Sequence, residues 1–199
     1  MNLFHLFQAG GFMMYPLLVA SIIVVAIFIE RFRYYQASKS DMDQLTKAIP
    51  AYLQNHDMEG LKACLKADGG IPAQVILAGA ENLHMKTNQT ALLEGAASHA
   101  AGLLKAYLNY LDVIVTLSPL MGLLGTVIGM IGSFNVLSVA EGQPFAITGG
   151  VAEALVCTAT GLFVAIISLI AYTYLSQQVS NFVSQMEKLC SLYLSIVEA

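Results

Sequence analysis

Three side chains in this 199-residue sequence have surroundings that would let them do chemistry: Thr126, Glu153 and Thr158. Val113 to Ala140 and Ala154 to Met186 carry no charged residue, and Glu153, just before the second stretch, is the only acidic residue expected inside a span. Moving a charge to the centre of a bilayer costs about 2.5–3.5 kcal/mol on insertion scales, so this carboxylate should face protein or water. Two readings follow for it. It serves an aqueous or proton pathway, or it is held by the dipole at the N-terminus of its own helix, close to Gly149 and Gly150. Thr126 lies 14 residues beyond Asp112, about 21 Å along a helix, and Thr158 lies 16 residues before Tyr174, about 24 Å. Both are therefore expected at one depth near the middle of the bilayer, where two hydroxyls could coordinate water or receive a partner side chain. Threonine does not hold a proton at physiological pH, and neither stretch contains His or Asp. One glutamate near one face cannot carry protons across about 30 Å of hydrocarbon. A complete path would need a second carboxylate from a partner.

The elements that position these residues are membrane spans. Hydrophobic residues make up 57% of the chain and charged ones 11%, against about a quarter charged in soluble domains. Residues 1–29 hold no charge, and Phe12 to Ile29 is apolar enough to cross a bilayer. The first basic residue, Arg31, follows this segment rather than preceding it, which predicts an uncleaved span and not a signal peptide. The other two charge-free stretches are each long enough for a span. Between them, Glu141-Gly142-Gln143-Pro144 predicts a tight outer turn. The nine basic residues lie between spans one and two or after span three, with Arg31 and Arg33 abutting the membrane. This puts residues 34–110 and the C-terminus in the cytoplasm and the N-terminus outside.

The predicted fold is all-α: an integral membrane protein of three transmembrane helices, two of them extended into the cytoplasm, with a small cytoplasmic helical domain. The expected divisions are 1–33 for the N-terminal segment and first span, 34–87 for the cytoplasmic domain, 88–138 for one long helix including span two, 139–148 for the outer turn, and 149–199 for span three with its extension. In the cytoplasmic domain Asp41 and Asp57 are expected to open helices, and Gly69-Gly70-Ile71-Pro72 to separate a third. Heptad stripes run through Leu93, Ala97, Ala100, Leu104, Tyr107 and Leu111, and through Leu175, Val179, Phe182, Met186, Leu189, Tyr193 and Ile196. They predict two long antiparallel helices packed side by side.

Span one has one hydroxyl residue, Ser21, and no glycine between Phe12 and Arg33, as expected of a helix bathed in lipid. Spans two and three are different. Gly122, Gly125, Gly129 and Gly132 share one face of span two, Gly161 lies in span three, and hydroxyls accompany them at Thr116, Ser118, Ser133, Thr160 and Ser168. Small residues at helical spacing allow close backbone approach. This surface should face protein or a pore, or serve helix packing alone.

Several functions are excluded or disfavoured. A net charge of −4 offers no field to attract nucleic acid. Cys64, Cys157 and Cys190 match neither a zinc site nor a disulfide framework and are expected reduced, and His56, His84 and His99 are too scattered for a metal or catalytic cluster. No enzyme site, metal or cofactor is predicted. One short hairpin without an internal repeat disfavours a substrate transporter.

The stretch from Ser118 through Gly122, Gly125, Thr126 and Gly129 to Phe134, with Gly150-Val-Ala-Glu153 through Thr158 to Leu162, resembles the paired signature of the MotA/TolQ/ExbB proton-channel family. Length, three spans and the helical insert look most like its ExbB and TolQ branch. The resemblance implies a homopentamer in the bacterial inner membrane around a dimer of a single-span ExbD-like or TolR-like partner, whose membrane aspartate carries the proton. It implies pore-lining roles for Thr126, Glu153 and Thr158. It also implies that a TonB-like transducer is driven by the proton motive force to support transport across the outer membrane. A TolQ-type role in envelope integrity and a passive helical scaffold are the alternative readings.

Overall fold

The computed structural model describes residues 10–82, 88–139 and 144–197, with side chains from 135 to 148 outside the description. Among the described residues the chain is entirely helical: α1 Met14–Ala37, α2 Met42–Gln54, α3 Met58–Asp68, α4 Ile71–Glu81, α5 Gln89–Lys105, α6 Leu108–Val139 and α7 Pro144–Val197. Three of these, α1, α6 and α7, include stretches long and apolar enough to cross a membrane. Of the expected outer turn Glu141-Gly142-Gln143-Pro144, the first three residues lie outside the described residues, as do His84 and Lys86, while Pro144 already belongs to α7. The chain divides into two compact units, one of Met1–Ile29 with Tyr107–Tyr174, the other of Glu30–Ala106 with Leu175–Ala199.

In the first unit most large apolar side chains point outward. Ile22, Leu120, Leu155 and Ile170 are all more than half exposed. Water would not tolerate that surface, and hydrocarbon would. The first span, expected to be bathed in lipid, exposes most of its side chains and packs along one stripe, because Met14, Leu17 and Val24 are buried at spacings of three and seven. An α-helix repeats a face at that interval, so one narrow side of α1 packs while the rest stays open.

The second unit follows the rules of a water-soluble domain. Asp41 caps α2 by accepting from Gln44 N at 3.0 Å, and Asp57 caps α3 by accepting from Gly60 N at 2.9 Å. Gly69 ends α3 with φ +68°, a conformation glycine adopts without a Cβ penalty, and Pro72 sits in the first turn of α4. Leu45, Ile49, Leu61, Leu65, Ile76 and Leu93 form the core. Along the α7 extension Leu175, Val179, Phe182, Met186, Leu189 and Tyr193 are all buried, and Ile196 is half-buried.

The single helix expected over 88–138 is interrupted. Ala106 is extended (φ −53°, ψ 140°) and Tyr107 takes the left-handed region (φ +66°), so α5 stops before α6 starts. The carbonyls freed at the end of α5 are taken up by α1. Arg31 Nη1 donates to Leu103 O at 3.1 Å, and Tyr35 Oη donates to Leu104 O at 2.8 Å. Arg31, one of two residues expected to mark the membrane edge, is buried in this cap and also pairs with Glu30, while Arg33 is exposed. Burial pushes the Tyr35 phenol up to about 12 despite the nearby Arg31 guanidinium.

Candidate functional site

The seam between α6 and α7 is built where side chains are missing. A methyl group on Gly122 would lie 3.1 Å from Thr158 Cα, and one on Gly125 would overlap Cys157 Sγ. One on Gly129 would lie 3.2 Å from the Gly150 carbonyl oxygen and 3.3 Å from Ala154 Cβ. From the other side, one on Gly161 would lie 2.6 Å from the Ser118 carbonyl oxygen and 3.0 Å from Gly122 Cα. These contacts fix an antiparallel register with the two backbones nearly touching. Gly132 behaves differently, since a methyl group there would meet nothing within 4 Å among the described residues.

That register moves the threonines apart. Thr158 is seated against Gly122 and donates its hydroxyl to the Gly122 carbonyl at 3.1 Å. Thr126 is one turn further along α6, about 6 Å on, and donates to Leu123 O at 2.6 Å. The common depth expected from exit-point counting is therefore replaced by a one-turn stagger. Both hydroxyl protons are committed to carbonyls, so each oxygen has only acceptor capacity to offer. Such an oxygen suits a water or the O–H of a protonated carboxylic acid. Both threonines are half-buried.

Glu153 is half-buried on α7, five residues before Thr158. The expected alternative, a carboxylate held by the N-terminus of its own helix, does not fit, because α7 begins at Pro144 and Glu153 lies beyond its first two turns. The dipole effect fades within one turn. Its carboxylate instead lies against Gly11, in the turn that opens α1. Met13 of the same turn approaches Gly125, opposite Cys157.

Other hydroxyls in this unit are spent on their own helices. Ser21 donates to Leu18 O, Thr160 to Val156 O and Ser168 to Val164 O. All three line a cleft of about 720 Å³ between α1 and α7, which is apolar for that reason and offers no chemistry. Ser118 differs: it is buried, and its hydroxyl has no hydrogen-bond partner among the described residues. Among the described residues no group of three His, Cys, Asp or Glu could hold a metal, and the three cysteines are free thiols. Sequence reasoning missed the Gly11 turn, although a Gly10-Gly11 doublet ahead of an apolar run is a turn signal.

Comparison with known proteins bears on the same region. The profile of the MotA/TolQ/ExbB proton channel family matches residues 67–188. An ExbB-like biopolymer transport protein of Synechocystis sp. (ExbB-like 3) is 34% identical over 168 residues, covering 82% of this chain and 80% of that protein. A second from the same organism, ExbB-like 1, is 28% identical over 199 residues, covering 96% and 78%. The Tol-Pal system protein TolQ of Pseudomonas aeruginosa is 43% identical over 74 residues, 37% of this chain and 32% of TolQ.

Proposed function

The chain belongs to the MotA/TolQ/ExbB proton channel family, and from that membership we propose that it is the channel-forming subunit of an ExbB–ExbD-type motor in the bacterial inner membrane. It acts as a stator and not as an enzyme, turning proton motive force into work on a TonB-like transducer for transport across the outer membrane. The observation that carries this reading is chemical. The glycine-built α6–α7 seam presents Thr126, Thr158 and Glu153 while its charge-free stretches hold no second carboxylate, so the seam is fitted to a partner that brings one. A dimer of an ExbD-like or TolR-like single-span protein, enclosed by five copies of this chain, would supply an aspartate.

In that assembly the partner aspartate takes a proton from the outer side, moves along the ring wall once neutral, and releases the proton on the inner side. During that passage the acceptor oxygens of Thr126 and Thr158, one turn apart, receive its O–H in succession. Burial raises a carboxyl pKa, which favours the neutral form in transit. A charge crossing 100 mV releases about 2.3 kcal/mol, enough to bias a stepwise movement of ring against partner. The 34–87 segment and the α7 extension lie in the cytoplasm in this arrangement, with the N-terminus outside.

The test is acid influx into liposomes holding this chain with its single-span partner. Thr126→Ala and Thr158→Ala should each abolish flux and force transmission while the complex still assembles. Normal proton-driven activity in both variants overturns the proposal, as does the absence of any Thr-dependent flux, the result a passive scaffold would give. The TolQ match favours a second reading, a subunit serving envelope integrity with the same ion path. Complementation of strains lacking one or the other system distinguishes the two.

A further inference from the structure

The turn that opens α1 does more than lead into a span. Gly11 has φ +68°, and its carbonyl accepts from Met14 N at 3.1 Å to close the turn. A methyl group on Gly11 would fall onto Glu153 Oε1 and lie 3.0 Å from Glu153 Cδ. The carboxylate therefore lies with Oε1 against a backbone position in the turn that has no side chain. The turn itself is anchored: Gly10 is buried beneath the Met14 side chain, and Met13 approaches Gly125 opposite Cys157. Two separate demands converge on Gly11. The left-handed backbone disfavours an ordinary L residue, and the glutamate leaves no room for a Cβ.

We propose that Gly11 is a positioning residue for Glu153, and that the turn before α1 is the backstop holding this carboxylate in one place on the α6–α7 surface. The inference rests on the ion-path role given to Glu153 above. A free glutamate side chain spreads over several rotamers. Proton exchange requires hydrogen-bond reach, roughly 2.6–3.2 Å between heavy atoms, so one rotamer change takes the group out of play. With Gly11 behind it, Oε1 keeps its position. With any side chain at residue 11, it must leave.

The experiment uses the complex of this chain with its single-span partner in liposomes, and the key variant is Gly11→Asn, because asparagine tolerates positive φ yet carries a Cβ. It should assemble normally by size exclusion and lose about tenfold or more in acid influx, as a misplacement near 1 Å can cause. Glu153→Asp withdraws the carboxylate by one methylene and gives Gly11→Asn the room it lacked. In that background Gly11→Asn should cost nothing further, a rescue that backbone strain alone would not give. A second readout does not depend on flux: modification of Glu153 by a hydrophobic carbodiimide, located by peptide mass spectrometry, should quicken several-fold in Gly11→Asn. Equal loss of flux in both backgrounds, or unchanged modification, overturns the positioning role. Full flux in Glu153→Gln instead overturns the ion-path reading of Glu153, and the modification rate still decides whether Gly11 holds the side chain.

Discussion

The two units of this protein hold their helices together by opposite means. Along the α7 extension contact is made by large side chains, with Leu175, Met186, Leu189 and Tyr193 each at most 1% exposed. In the α6–α7 seam contact is made at Gly122, Gly125, Gly129, Gly150 and Gly161, where nothing projects, and the large side chains turn away. Among the described residues, every large hydrophobic side chain that is exposed, apart from Phe32 and Leu103, belongs to the unit of the spans. The contrast follows the two ways in which helices associate. Where water surrounds a helix, burying aliphatic surface drives association. Where lipid does, leucine gains nothing by leaving it, and helices associate through close packing of small residues.

The largest expected effect tests that contrast directly. Leu189→Ala in the fully buried stripe should lower the stability of the detergent-solubilised protein by about 3 kcal/mol, since it removes buried area and leaves a cavity. Ile22→Ala, at a side chain 58% exposed on α1, should change it by less than about 0.5 kcal/mol. Thermal unfolding monitored by circular dichroism reads both. Equal losses would mean that the outer face of α1 is packed rather than solvated by lipid or detergent, and the comparison would fail.

A smaller effect sharpens the other half. Gly161→Ala places a methyl group against the Ser118 carbonyl and Gly122 Cα, which are backbone atoms and cannot rotate away. Overpacking of this kind costs about 1–3 kcal/mol. Gly132→Ala adds the same atom where nothing described lies within reach, and higher helix propensity should stabilise α6 by up to about 1 kcal/mol. Opposite signs for one substitution at two glycines of the seam region, read by the same melting experiment, would show that proximity and not glycine content makes the contact.

What the sequence made legible is what local pattern determines. The charge-free runs, the caps at Asp41 and Asp57, and the stripe from Leu175 to Tyr193 follow from spacing within one segment, and the structure has them. The break between α5 and α6 does not. Nothing in Leu104-Lys105-Ala106-Tyr107 is a helix breaker, and the groups that donate to the freed carbonyls, Arg31 and Tyr35, are 72 and 69 residues away in the chain. The stagger of Thr126 and Thr158 was hidden for a related reason. Depth counted from each span's exit assumes matched ends, whereas register is set by where Gly122 admits Thr158. The meeting of Gly11 and Glu153 likewise depends on a fold that joins residues far apart in sequence.

The smallest effect on stability carries the most functional information. Thr158→Val removes a hydroxyl that donates to Gly122 O and keeps the β-branched shape that fills the seam. Side-chain hydrogen bonds between membrane helices average only about 0.6 kcal/mol, because the separated helices also find partners. The melting temperature should therefore hardly move. If Thr158 is part of the ion path, flux should fall nonetheless, because valine offers no acceptor oxygen to a passing carboxylic acid, and Thr158→Ser should keep it. A loss of flux shared by Thr158→Val and a destabilised Gly161→Ala would reflect only a loosened seam. Loss in a variant as stable as the parent, recovered by serine, attributes the deficit to one oxygen atom.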